Sequence, residues 1–539
     1  MQQLLQNHLL SIVTFSPLLW AVLVLLVPGK QENLARIVAL IGSTATFAIS
    51  LLLWSRFNAA EAGFQMAEKA PWLKDFGINY FVGIDGFSLL LVLLSTFLIP
   101  IIVLASWKYI EHKVKSYLFF LLMLETGMIG AFFSLDIFLF YVFWEAMLIP
   151  MFFIIGVWGG KERIYASAKF MLYTIAGSLP MLVAIIYLLW QHKTQFGFFS
   201  ASLLDLYKVA LPGDGMLSSQ ALVFLAFCLA FAVKVPMFPL HTWLPDAHVQ
   251  APTGGSVILA GVLLKLGIYG FIRFAIPLAP EATVLYAPYF MVIAAVAIIY
   301  GACVAIVQTD IKKLVAYSSV SHMGYIVLGL FSMNAIGITG SVYQMLNHGI
   351  STGGLFLLVG ILYERRHTRE VSEFGGLASV IPLFAISLII LTMSSIALPG
   401  TNGFIGEFLI LQGAFLANPY ISAVAGLGVV LGAVYMLWLC QKVLFGVCSN
   451  EKNKGMADLS LREAGYLAPL LILVFVMGLY PKVFITKMEK SIAYFTETIS
   501  TPGARYAPTV SFAQPVVAAE PQVSLNLDSS EMQRKRTEI

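Results

Sequence analysis

Six ionisable side chains stand where a membrane interior would exclude charge: Glu145, Lys234, Lys265, His322, His348 and Glu407. Glu145 is central in FYVFWEAMLIP, and Lys265 lies near the middle of the apolar run from Pro252 to Ile276. At roughly 1.5 Å per residue, Lys265 is about 20 Å from the start of that run, mid-depth in a hydrocarbon core of about 30 Å. A charge there costs roughly 2.5–3.5 kcal/mol on insertion scales, so an intramembrane lysine marks a functional site by default. Burial and pairing act oppositely on proton affinity, so a Glu–Lys pair that opens and closes would switch the lysine between holding and releasing a proton. Imidazoles on neighbouring runs suit the same task, because histidine exchanges protons near neutral pH. Four further residues are secondary candidates. Glu125 is mid-run in LLMLETGMIG, while His241, Asp246 and His248 follow Lys234 and could line or gate a way in.

Each has a bland alternative. A buried carboxylate can merely neutralise a lysine, and a buried histidine is most often a hydrogen-bonded core residue. His322 and His348 could also be haem ligands, but two haem-binding pairs at regular spacing are absent. Zinc is disfavoured because no close His/Cys/carboxylate triad is evident.

The elements that must hold these residues are membrane helices. The chain has 539 residues, 59% hydrophobic and 11% charged, with net charge +4 and mean hydropathy +0.87. That composition excludes a water-soluble protein and gives no reason to expect a nucleic-acid partner. The four cysteines form no CxxC pair and read as packed thiols. No Lys or Arg precedes the first apolar run, so no cleaved signal peptide is expected. The expected fold is an all-α polytopic membrane protein with about 14 crossings, each run being near 20 residues.

Two runs are interrupted. Pro236 and Pro239 follow Lys234, and Leu398-Pro-Gly-Thr-Asn-Gly403 precedes Glu407. Prolines remove backbone donors, which lipid tolerates only beside protein or a watery cavity. Broken spans seven and twelve predict two inverted five-helix repeats, spans 4–8 and 9–13. The stretch 376–417 could be a hairpin of two crossings or one crossing with a break. Fifteen lysines and arginines in odd-numbered loops, against Arg56, Lys69, Lys74, Lys193, Lys208 and Arg273 in even ones, favour one crossing. The same bias places the odd loops in the cytoplasm and both termini on the periplasmic side. The expected divisions are 1–115 with three helices and an external loop, 116–276 and 277–446 as the repeats, 447–500 with the last crossing and an amphipathic stretch, and a polar tail, 501–539, expected to be disordered. Lys312 and Lys313 read as orientation signals.

No Gly-rich phosphate loop, flavin fingerprint or cysteine cluster is present. The chain alone should therefore catalyse no redox chemistry.

The stretch KVPMFPLHTWLPDAHVQAPTGGSVILAGVLLKLGIYG, with DIKKLVAYSSVSHMGY further on, strongly resembles the antiporter-like membrane subunits of respiratory complex I. The resemblance runs from about Asp85 to Pro481, and Glu407 stands where sister subunits of that family carry a lysine. It implies a proton path near the membrane midplane. Glu145 would pair with Lys234, Lys265 would lie centrally, His322 and His348 would carry the relay onward, and Glu407 would end it. It implies a proton-translocating subunit of an NADH:quinone oxidoreductase in a bacterial inner membrane. FMN, iron–sulfur clusters, NADH and quinone would be held by partner subunits, and the other membrane subunits would be its neighbours. Rival readings are a subunit of a multisubunit cation/proton antiporter, a subunit of an energy-converting hydrogenase, and a scaffold with inert buried charges.

Overall fold

Helices dominate because apolar backbone in lipid must satisfy its own hydrogen bonds. The computed structural model describes residues 7–213, 215–501 and 505–513. Among them, twelve helices are long and apolar enough to cross a membrane. They are α1 (Leu9–Leu26), α2 (Glu32–Arg56), α3 (Gly86–Tyr109), α4 (Val114–Phe133), α5 (Ile137–Trp158), α6 (Arg163–Phe196), α9 (Thr253–Leu278), α10 (Pro280–Ile306), α11 (Ile311–Phe331), α12 (Ala335–Arg366), α15 (Pro419–Leu444) and α16 (Leu461–Leu479). Shorter pieces are α7 (Ser219–Lys234), α8 (Trp243–Gln250), α13 (Pro382–Ser395) and α14 (Asn402–Ala417), and the amphipathic α17 (Lys482–Ser500) follows α16. The most apolar stretches of α9 and α12 are wholly enclosed, whereas only a third of that of α2 is. The helices that carry Lys265 and His348 therefore form the centre of the bundle.

The breaks have local causes. The helix α7 stops at Lys234, two residues before Pro236, and Met237 N donates to the freed Ala232 carbonyl at 2.9 Å. Its continuation α8 resumes after the Phe238–Pro239 turn. Between α13 and α14 lies Ile396–Thr401, where Gly400 takes φ +92°, a left-handed backbone that suits glycine. These two halves lie end to end along α12. Leu383 N at the start of α13 binds the Asp458 carboxylate, and Arg365 at the end of α12 holds the Asp458 carbonyl. At the other end, Asn334 before α12 donates to Gly413 O in α14 at 2.8 Å.

A third interruption lies beside Glu145. The helix α5 is jointed at Met147, two residues after Glu145. Pro150 accounts for the joint, because its ring opposes the carbonyl four residues back, that of Ala146.

Four expectations need correction. The polar stretch 55–85 is not only loop: β1 (Phe64–Leu73) and β2 (Ile78–Ile84) form an antiparallel hairpin. Its turn is made by Gly77 in the left-handed region, φ +62°. The tail is partly ordered, since β3 (Val510–Phe512) pairs in parallel with β1 and completes a three-stranded sheet. The rest of the tail, 502–504 and 514–539, lies outside the described residues. Arg273 is no loop residue: it lies within α9, 1% exposed, and pairs with Asp85. Lys312 is buried too, donating to Ala251 O at 2.6 Å, so it is not a solvent-facing orientation signal.

Candidate functional site

The site begins at the crossing of α9 and α12. Gly261 and Gly349 face each other there, and a Cβ on Gly349 would meet Gly261 O at 3.0 Å and Leu94 at 2.7 Å. This close approach sets Lys265 Nζ 2.6 Å from His348 Nδ1. Two π-helical turns, Leu259–Leu263 and Phe271–Ala275, flank the segment that holds Lys265. The first turn supplies the Ala260 carbonyl, which accepts from Lys265 Nζ. A lysine in the protein interior is thus met by one imidazole and one carbonyl. Single π turns inside helices are frequent at functional sites.

From His348 the polar groups continue on α12, α11, α13 and α14. The rings of His348 and His322 are 5.8 Å apart. His322 Nδ1 lies 3.1 Å from Glu407 Oε1, and its Nε2 lies 3.2 Å from Ser395 Oγ. Gln344 donates to the same carboxylate oxygen at 3.1 Å. The His348 Nε2 atom is buried without a hydrogen-bond partner. The His348 side chain lines a small polar cavity of about 10 Å³ shared with His322, Gln344, Asn347 and Ser394. That is about the least space that holds one water, and the lining supplies the several polar partners a water needs. Gly406 leaves room for these amides, since a Cβ there would meet Gln344 Oε1 at 2.3 Å and Asn347 Nδ2 at 2.7 Å and displace them.

Chain order misleads about spatial order. His322 precedes His348 in the sequence, but His348 stands beside Lys265 and His322 beside Glu407. Sequence reading also missed the amides and hydroxyls that complete the network. Asn347 bridges Gln344 Oε1 and Asn402 O, while Ser351, Ser394 and Asn402 bond to one another. Their signal was present: Gln344, Asn347, His348, Ser351 and Thr352 recur at helical spacing, a polar stripe on an enclosed helix.

The other candidates are placed differently. Among the described residues Lys234 Nζ has no hydrogen-bond partner; it is buried and rests 4.8 Å from the ring centre of Trp144. Glu145 bears on it electrostatically, but the two are not joined by an ion pair within 4.0 Å, so the pair is open. One Glu145 oxygen is buried without a partner. Glu125 is fully buried, and neither carboxyl oxygen has a partner. Both ring nitrogens of His248 are likewise unbonded, and the ring stacks on Phe356 at 4.6 Å. Lys265 and Lys312 are the charges that bear on it. His241 packs against Phe238 and Tyr300, and Asp246 pairs with Lys169 at 2.7 Å. These three do not form one cluster. Among the described residues, no group of three or more His, Cys, Asp or Glu is arranged to hold a metal ion.

A connected series of amine, imidazole, imidazole and carboxylate can hold and pass protons, since each member has a protonated and an unprotonated form. Comparison with known proteins bears on whether it does. The profile described as "NADH:quinone oxidoreductase/Mrp antiporter, TM" matches residues 134–432. That described as "NADH-ubiquinone oxidoreductase chain 4, amino terminus" matches residues 17–131. The chain is 46% identical over 503 residues to NADH-quinone oxidoreductase subunit M of Rhodobacter capsulatus, covering 91% of this chain and 97% of that one. It is 46% identical over 485 residues to NADH-ubiquinone oxidoreductase chain 4 of Arabidopsis thaliana, covering 90% and 96%. Among solved structures, a chain of respiratory complex I from Thermus thermophilus with bound NADH superposes with TM-score 0.82 at 34% identity, covering 90% of this chain and 99% of that one. A chain of the Mrp complex from Dietzia sp. DQ12-45-1b shares the fold, with TM-score 0.79 at 19% identity and coverage of 92% and 98%.

Proposed function

This chain belongs to the NADH:quinone oxidoreductase/Mrp antiporter membrane family, in its subunit M and chain 4 branch, and from that premise we propose that its buried groups move protons for complex I. It is the proton-translocating membrane subunit of an NADH:quinone oxidoreductase. NADH oxidation, the flavin, the iron–sulfur clusters and quinone reduction belong to partner subunits. What this chain contributes is a set of protonatable groups and the helix breaks that free them.

The observation that carries the reading is the direct Lys265–His348 contact, continued by His322 to Glu407. A proton on Lys265 passes to His348 Nδ1. It leaves from Nε2 into the polar cavity, reaches His322 and is taken by Glu407. Glu145 and Lys234 form the other end, open in this arrangement. When Glu145 approaches Lys234 it favours the charged amine, and when it withdraws, burial favours proton release. His248 and Glu125 are reserve stations with unbonded atoms.

The topology that fits is fourteen crossings, with α7–α8 and α13–α14 each counted as one, and two inverted repeats over spans 4–8 and 9–13. The divisions are those read from the sequence, except that 505–513 join the hairpin. Arg273 leaves the even-loop count and Lys312 the odd, which keeps a strong bias of fourteen to five. That supports both termini on the periplasmic side of a bacterial inner membrane. The sister antiporter-like subunits are the expected neighbours.

The test is Glu145→Gln in membranes where assembly of the whole complex is checked separately. NADH-driven quinone reduction and proton pumping are recorded together. Loss of both in assembled complex supports the relay, and wild-type levels of both would leave the buried charges structural.

A further inference from the structure

Beyond Lys265, the helix α9 carries buried polar groups that the relay does not use. Tyr269 and Arg273 follow Lys265 at intervals of one turn. At 1.5 Å per residue, Arg273 lies about 12 Å beyond Lys265, toward the hairpin. Arg273 Nη2 is 2.7 Å from Asp85 Oδ2, and each side chain is 2% exposed. A buried ion pair of this kind is weak evidence for stability, because desolvation offsets its attraction. Its place calls for another account.

We propose that the Asp85–Arg273 pair, with Tyr269, is a closure at the hairpin end of the relay, which denies the proton on Lys265 an exit along its own helix and sends it sideways to His348. This rests on the proton-relay reading given above.

Every group on that route is occupied. The Tyr269 hydroxyl donates to Phe132 O at 2.7 Å and accepts from Arg273 Nε at 3.1 Å, so it has no free turn with which to pass a proton. A guanidinium does not give up its proton in proteins. Asp85, the carboxylate at this end, is saturated: Oδ1 accepts from Phe87 N, Ser88 N and Ser88 Oγ at 3.0–3.1 Å, and Oδ2 is held by Arg273. The Lys265 ammonium points the other way, to Ala260 O and His348. The closure is itself clamped from outside. The Phe64 ring of β1 lies 4.6 Å from the guanidinium, and Tyr207 donates to Arg273 O at 2.8 Å. Tyr506 of the tail packs on Tyr207 at 5.2 Å. The hairpin and the ordered part of the tail thereby acquire a task.

The experiment uses the whole purified complex in liposomes loaded with a pH-sensitive dye. A pH gradient is imposed without NADH, and passive proton flux is followed. Asp85→Asn and the milder Tyr269→Phe should each raise the leak several-fold in assembled complex. Adding Lys265→Met to either should bring it back to the parent's level. A leak equal to the parent's in assembled Tyr269→Phe complex would overturn the closure, and so would a raised leak that Lys265→Met leaves unchanged. The relay reading is judged apart from this, by whether NADH-driven pumping survives in the single Glu145→Gln variant.

Discussion

His348 Nδ1 lies 2.6 Å from Lys265 Nζ, although the two residues are 83 positions apart and on different helices. Among the described residues neither has a carboxylate partner, and the lysine is met by a group that can itself be protonated. That distinguishes the contact from a structural ion pair. A carboxylate would hold the ammonium in place, whereas an imidazole can take its proton.

The contact depends on the Gly261–Gly349 approach. A larger side chain at 349 would press on Gly261 O and Leu94, and overpacking of this kind costs about 1–3 kcal/mol. Gly349→Val should therefore separate α9 from α12 and lower NADH-driven pumping sharply. Gly349→Ala should lower it less. Pumping per assembled complex is the quantity to compare, and an equal loss in both variants would mean that helix spacing is not what matters.

Glu407 accepts from Gln344 and faces His322. Glu407→Gln keeps the shape and removes the protonatable group, so the complex should assemble with pumping lost. Glu407→Lys would turn a cation toward the Gln344 amide donor. It should restore little activity unless Gln344 is changed to Glu as well. Full activity of the lone lysine variant would show that the Gln344 contact is dispensable.

Outside the membrane-spanning helices, Glu68 on β1 caps α1. Its carboxylate accepts from Leu10 N at 2.7 Å and from the Ser11 hydroxyl. Burial pushes the Glu68 carboxyl above its ordinary value, against the lowering effect of the Ser11 and Leu10 donors. The folded protein then binds its proton more tightly than the unfolded chain, so the penalty is absent below the ordinary carboxyl range and complete above the raised value. The thermal midpoint of the wild-type complex, relative to Glu68→Gln, should rise as pH falls from neutral toward the ordinary carboxyl range. A difference that shrinks would mean that the hydrogen bonds outweigh burial.

Much of this was legible locally. Lys234 beside Pro236, and Glu407 after Pro399-Gly400, declare broken helices because proline and glycine act within a few residues. Pro150 declares the joint beside Glu145 by the same rule. What distance along the chain cannot reveal is which face meets which. His348 falls before His322 in the relay because α12, not α11, crosses α9 at Gly261. Arg273 read as a loop cation because its partner, Asp85, is 188 residues away in sequence. The tail read as polar and disordered because its anchors, Tyr506 and β3, are short and need β1 and Tyr207 to pack against.

The most direct measurement is on His348→Ala in assembled complex, with NADH-driven quinone reduction and proton uptake recorded in the same vesicles. The account predicts that both collapse, and that His348→Gln, which hydrogen-bonds Lys265 but cannot carry a proton, collapses equally. Wild-type proton uptake per quinone reduced in either variant would contradict it.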